Sequence, residues 1–145
     1  MDEELIWMAG FFDGEGCISM VRCGPRHEGY SPYYRIVIAM TLTNEAILRL
    51  FHARFGGRFY PMHNGKPGKS RDWKPQWQWR MDASPGARFI EEILPYLKLK
   101  HEQAEKALLF WRKRDKNGNR RRKTQEELAY EEQEWREFKE LKATQ

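Results

Sequence analysis

Near the start of the chain, Gly10, Gly14 and Glu15 have the types and spacing to support phosphoryl chemistry. They fall in the run Leu5-Ile6-Trp7-Met8-Ala9-Gly10-Phe11-Phe12-Asp13-Gly14-Glu15-Gly16. Residues four apart share one face of a helix. Glycine has no side chain to hold a second helix away, so two such helices can pack backbone to backbone. A twofold axis between them would bring two Glu15 carboxylates together at the helix C-termini, where the dipole disfavours negative charge. A divalent cation removes that conflict, and hard oxygen donors such as these carboxylates and the Gly14 carbonyl suit Mg²⁺. Paired metal ions can stabilise both the attacking and the leaving oxygen of an in-line phosphoryl displacement. The same residues also read as core-packing glycines beside a solvated helix-end carboxylate, and this stretch alone does not choose between the two.

The elements that would position these residues follow from periodicity and punctuation. Asp2 caps a helix with Glu3 and Glu4 in its first turn. That helix is apolar nearly all round through Phe12, which predicts burial on several sides. Gly14 and Gly16 end it. Cys17 to Cys23 reads as a strand, residues 24–32 as a turn, and Tyr33 to Thr43 as a strand. In this second strand Ile36, Ile38, Met40 and Leu42 share one face. Thr43 or Asn44 caps a second helix, which Gly56-Gly57 stops. Arg58 to His63 is a strand marked as an edge or bulge by Pro61. Trp73 to Asp82 is a strand that sets Gln76, Gln78 and Arg80 against Trp77, Trp79 and Met81. A register slip of one residue there would exchange its two faces. Helices follow from Ser84-Pro85 through Leu94, from Lys98 to Arg114, and from a capping box at Thr124 to Glu127. The plan is α+β with antiparallel hairpins. A first domain covers 1–114, and 115–145 is a basic linker with a charged C-terminal helix.

Charge points to a polyanionic partner. Residues 1–123 carry 23 basic and 14 acidic side chains, a net of +9, and residues 124–145 carry 3 and 7, a net of −4. Cys17 and Cys23 lie six apart in one strand, too far to bridge, and form no zinc pattern. They read as free thiols of an intracellular, reducing compartment, whether cytoplasm, nucleoid or organelle, in a protein that is not secreted. No apolar run is long enough for a membrane span, so no membrane partner is expected.

Residues 8–16 resemble the LAGLIDADG signature. Met8 stands for the first Leu, Phe11-Phe12 for the apolar pair, Gly14 for the second Ala and Glu15 for the second Asp. A second patch, Pro95-Tyr96-Leu97-Lys98-Leu99-Lys100, is similar to the segment that precedes the family's late helix. The αββαββα element order matches over roughly residues 4–114. This resemblance implies the LAGLIDADG homing-endonuclease fold, with an antiparallel DNA-binding sheet and additional C-terminal helices. It also implies a homodimer that reads a long, roughly palindromic double-stranded DNA site and cuts both strands across the minor groove. The enzyme would be Mg²⁺-dependent and encoded within an intron or intein-like element. A seam of Ala9, Gly10, Asp13 and Gly14 is expected, with Glu15 and Gly14 as metal ligands. Asp13 is expected to cap or hydrogen-bond rather than bind metal.

The resemblance also assigns roles around the metal. Lys100 matches the family's basic residue near the reacting phosphate, with Lys98 as the near alternative. Asn44 falls where the family places a water-positioning side chain, and it reads equally well as a helix cap. The position one turn later, commonly basic, is Leu48, with Arg49 beside it.

A four-stranded face can enter the major groove. Strand alternation nominates Ser19, Arg35, Thr41, Arg58, Tyr60, Gln76, Gln78 and Arg80 for base readout. The loop residues Arg26, His27, Lys66, Lys69, Arg71 and Lys74 are nominated for phosphates. Arg22 fits neither face of its strand cleanly. Arg112 to Lys123 reads as a grip on the DNA backbone or as a charged linker. Two further classes stand beside the nuclease: a non-cleaving binder of the same fold (an intron RNA maturase or DNA-binding regulator), and a structural dimerisation module.

Overall fold

Asp2 opens the first helix, α1 (Glu3–Glu15), by accepting a hydrogen bond from the Leu5 amide at 3.0 Å. A computed structural model describes residues 1–62 and 75–144 of the chain. After α1 come β1 (Cys17–Cys23), β2 (Tyr33–Leu42), α2 (Glu45–Phe55), β3 (Arg58–Met62) and β4 (Gln76–Asp82). The chain continues with α3 (Ala83–Ile93), a 3₁₀ turn (Leu94–Tyr96), α4 (His101–Lys113), a second 3₁₀ turn (Gly118–Arg120) and α5 (Gln125–Ala143). The architecture is α+β, as expected.

The four strands form one antiparallel sheet in the order β1-β2-β4-β3. Pro61 therefore sits on an edge strand, the place in a sheet where proline is tolerated. Alternation sends Ile18, Met20, Ile36, Ile38, Met40, Trp79 and Met81 to the helix-covered face, where all are buried. Trp79 is fully buried and donates its indole N–H to the Gly56 carbonyl at 2.8 Å. This settles the register of β4, because a one-residue slip would expose that ring. Gly57 is required where α2 returns to the sheet. Its φ is +86°, and a Cβ there would lie 2.7 Å from the Arg80 carbonyl.

The core runs across the covered face and includes Phe12 of α1, Phe51 of α2, Phe89 and Ile90 of α3, and Leu108 of α4. Phe138 of α5 joins it, buried to 1% exposure, and Trp135 donates its N–H to the Met20 carbonyl at 2.9 Å. The charged C-terminal helix therefore folds back along β1. Its N-terminus carries the expected capping box between Thr124 and Glu127. Just before it, Lys123 is buried and pairs with Glu131 at 2.7 Å, and its backbone N–H donates to Ser31 Oγ at 2.8 Å. These bonds tie the linker to the β1–β2 connection.

Several boundaries differ from the sequence reading. β2 ends at Leu42 rather than Thr43, and the described part of β4 begins at Gln76. Helix α3 begins at Ala83 and passes into its 3₁₀ turn at Leu94. Helix α4 starts at His101 rather than Lys98, because the amides of residues 98–100 are bonded to a side chain instead of entering the helix.

Candidate functional site

That side chain is Asp13. Its Oδ2 accepts from the Lys98 and Leu99 amides, both at 2.9 Å, and its Oδ1 accepts from the Lys100 amide at 2.8 Å. Burial alone would push its carboxyl pKa up. The three backbone donors and the Lys100 charge outweigh burial and hold it below the ordinary value. In return, the Lys100 ammonium donates to the Asp13 carbonyl at 2.5 Å. Asp13 thus fixes the start of α4, and Lys100 is placed at the C-terminal end of α1. Lys98 is joined to α1 through its backbone amide.

Glu15 is the last residue of α1 and is exposed. The Gly16 amide closes the helix on the Phe12 carbonyl at 2.7 Å. On the same helix, Trp7, Gly10 and Gly14 form an exposed stripe, with Trp7 at 47% exposure. A Cβ at Gly10 or Gly14 would meet nothing within 4 Å. Ala9 departs from the expected seam: it is fully buried in the chain's own core, because it points away from that stripe. Among the described residues of one chain, no group of three His, Cys, Asp or Glu side chains could hold a metal ion.

The uncovered face of the sheet carries the polar residues expected of it. Register places Thr41, Gln78 and Tyr60 in one row across β2, β4 and β3, and Ala39, Arg80 and Arg58 in the next. Gln78 joins its row by donating to Thr41 Oγ1 at 3.0 Å and accepting from the Tyr60 hydroxyl. Gln76 lies opposite Met62 on the same face. Asp82 is the hub of an arginine cluster. It accepts from Arg80 Nε at 2.7 Å and Arg58 at 3.3 Å, and pairs with Arg35 at 3.6 Å. Burial works to raise its carboxyl pKa, and the three guanidiniums overcome that and lower it.

At the β1 edge, Lys142 of α5 donates to the Ile18 carbonyl at 2.8 Å and contacts Ser19 Oγ and Cys17 Sγ, each at 3.1 Å. Burial raises the Cys17 thiol pKa. Hydrogen bonds from Ser19 and Lys142, with the Lys142 and Lys100 charges, more than offset it and bring the value down. A second ammonium is therefore held two to four residues along the chain from Glu15.

No protein-family model matches the sequence, and no curated protein matches it significantly. Solved structures do match the architecture. The homing endonuclease I-CvuI, in complex with DNA, is similar over 79% of this chain and 69% of its own, with a TM-score of 0.63 and 23% identity. The archaeal intron-encoded homing endonuclease I-Vdi141I, also complexed with DNA, is similar over 77% of this chain and 68% of its own (TM-score 0.60, 17% identity). The LAGLIDADG homing endonuclease I-SmaMI, bound to cleaved DNA, matches 93% of this chain and 43% of its own, with a TM-score of 0.67 and 14% identity. The chain has the LAGLIDADG homing-endonuclease fold.

Within the LAGLIDADG fold, most of the residues nominated from sequence fall into three groups. Glu15, Gly14 and Lys100 come together at the end of α1, as do the amides held by Asp13. Ser19, Arg35, Thr41, Arg58, Tyr60, Gln76, Gln78 and Arg80 share the uncovered face. Lys66, Lys69, Arg71 and Lys74 lie outside the described residues. Asn44 caps α2, its Oδ1 accepting from the Ile47 amide at 3.2 Å. Leu48 is fully buried, and Arg49 pairs with Glu45 along the exposed side of α2. Arg26 lies over the Tyr33 ring at 5.1 Å, and His27 meets Tyr30 edge-on. Arg22 lies on the helix-covered face opposite Tyr34, beyond the apolar core, and stays exposed.

Two residues at the site escaped the sequence reading. Asp82 was readable, since it shares the alternation of Gln76, Gln78 and Arg80. Lys142 was not, because only the return of α5 along β1 brings it to Cys17.

Proposed function

We propose that this chain is a site-specific DNA endonuclease of the LAGLIDADG homing type, encoded within an intron or intein-like element and acting as a homodimer with a divalent cation. The observation that carries this reading is the end of α1. An exposed carboxylate, Glu15, ends a helix whose glycine face is open, beside Lys100 and a sheet face rich in Arg and Gln. Gly10 and Gly14 leave room for a second copy of α1, and the exposed Trp7 and Leu99 supply apolar area beside them. Closed twofold symmetry then pairs two Glu15 side chains from one gene.

The donor chemistry fits a hard cation. Glu15 and the Gly14 carbonyl offer oxygen only, and among the described residues of one chain no group of three His, Cys, Asp or Glu side chains stands ready for a metal, which fits a ligand set drawn from both copies of α1. Bound there, Mg²⁺ supplies charge stabilisation to the attacking and leaving oxygens of the phosphodiester. Lys100 contributes a fixed positive charge next to them. Arg80, Arg58 and Arg35 suit guanine edges and Gln78 and Gln76 suit adenine, so the sheet supplies base readout in the major groove.

Glu15→Gln tests the assignment directly. With Mg²⁺ and a library of palindromic DNA sites, the wild-type chain should yield double-strand cuts. The variant should lose cleavage by at least ~100-fold, the scale of losing one group that stabilises developing charge, while still binding. Cutting by the variant at the wild-type rate would refute the role. A second reading rests on α2, where Asn44 is engaged as a cap and Leu48 is buried in place of a cation. It describes a binder of the same fold that does not cleave. Tight, salt-sensitive DNA binding by the wild-type chain without any cleavage of the library would favour it.

A further inference from the structure

Away from Glu15, a cavity of about 190 Å³ opens between the start of β2, the C-terminal end of α4 and the turn that follows it. Its wall includes Arg26, Arg35, Arg114, Lys116 and Asn119. Three buried polar atoms have no hydrogen-bond partner among the described residues and belong to side chains of this wall: Arg35 Nε, Arg114 Nε and Asn119 Oδ1. Two of the three, Arg35 Nε and Arg114 Nε, are donors, and unpaired buried donors are rare and costly, so these arginines call for an acceptor; Asn119 Oδ1 is itself an acceptor and adds nothing toward an anion.

Arg114 is the strongest case. Its guanidinium stacks on the Trp111 ring at 3.5 Å from the centroid, and it has no ion pair among the described residues. Desolvation lowers its pKa, opposed only by the nearby Asp115. A half-buried cation in that position is stabilised by an anion. Two acids also line the wall, and both are already neutralised by other cations: Glu131 pairs with Lys123 at 2.7 Å, and Asp115 with Arg121 at 2.9 Å. The volume is below the ~300–1,000 Å³ of ordinary small-molecule sites, which favours a single compact group over an extended ligand.

We propose that this cavity binds one phosphate of the DNA backbone, with Arg114 as its central donor and Arg26 and Lys116 around it. Arg35 links the cavity to the DNA-reading face, since it lines the cavity and also pairs with Asp82 on the uncovered side of the sheet. The cavity lies at the far end of β1 and β2 from Glu15, because Cys17 pairs with Ala39 and Cys23 with Tyr33. It therefore serves the outer part of a half-site, and the linker after α4 becomes part of the DNA-binding surface. This inference rests on the DNA-binding reading above.

The test uses the full chain and a random-sequence 30-base-pair duplex, with affinity measured across a salt series. Arg114→Gln should weaken binding by a similar factor for every sequence and reduce the slope of log affinity against log salt by about 1. Lys116→Gln gives a second, exposed site should the first variant fail to fold. Arg136→Gln, an equal charge change on α5, should leave the slope unchanged. Unaltered slopes in folded Arg114→Gln and Lys116→Gln, with wild-type binding intact, would overturn the proposal and leave the DNA-binding reading standing. Absence of wild-type DNA binding would overturn both. A second arm follows the arginine Nε resonance that disappears in Arg114→Gln. A shift on adding duplex supports a backbone phosphate, and a shift with inorganic phosphate but none with duplex rejects it.

Discussion

Asp13 shows how one side chain can serve the site without touching a reacting atom. Its two oxygens hold three amides of residues 98–100, and this bend places the Lys100 ammonium on the Asp13 carbonyl. Asn at this position keeps one acceptor oxygen and replaces the other with a donor, which faces amides that also donate. Asp13→Asn should therefore cost about 1–3 kcal/mol at neutral pH, read as a drop in Tm of several degrees. The pH dependence has a definite sign. The folded-state pKa of Asp13 is depressed, so its contribution is complete above the ordinary value of 3.8 and is lost as pH falls through the folded value. The stability gap between wild type and variant should narrow below about pH 4. Equal Tm values at pH 7 would show that the three hydrogen bonds contribute nothing net.

At the scale of elements, β4 shows what was legible and what was not. Alternation separated Gln76, Gln78 and Arg80 from Trp77, Trp79 and Met81, and the uncovered and covered faces divide on that line. The choice between the two registers needed the indole of Trp79, whose bond to Gly56 depends on where α2 ends. The start of α4 was misplaced for a similar reason. The Lys98-Leu99-Lys100 pattern is helical in type, and a carboxylate some 85 residues earlier in the chain takes its amides. The Asp82 hub has a consequence of its own. Neutralising it by Asp82→Asn removes the shared partner of Arg35, Arg58 and Arg80, and should cost about 1–2 kcal/mol of stability. It also adds one net positive charge to the face. Affinity for random-sequence duplex should rise a few-fold at low salt, and the gain should fade as salt screens it. A folded variant with unchanged or weaker low-salt binding would remove Asp82 from the DNA-facing surface.

At the scale of the molecule, the question is why α1 carries glycines where its own chain has no use for them. Each glycine inside a helix costs about 1 kcal/mol relative to alanine, and neither Gly10 nor Gly14 relieves a clash, since a Cβ at either meets open space. Helix α1 is otherwise apolar nearly all round, and its other faces are spent on the core through Met8, Ala9 and Phe12. The remaining stripe of Trp7, Gly10 and Gly14 suits close approach by another helix. Gly14→Leu separates the two explanations. Within one chain the added Cβ meets nothing within 4 Å and leucine improves helix propensity by up to ~1 kcal/mol, so the folded monomer should be as stable or slightly more so. In a dimer, the same leucine would stand between two backbones and force them apart. Sedimentation should show the wild-type chain at twice the monomer mass and the variant as a folded monomer, with cleavage lost as well because Glu15 no longer meets its copy. A variant that still sediments as the dimer would place the interface elsewhere and remove the reason for these glycines.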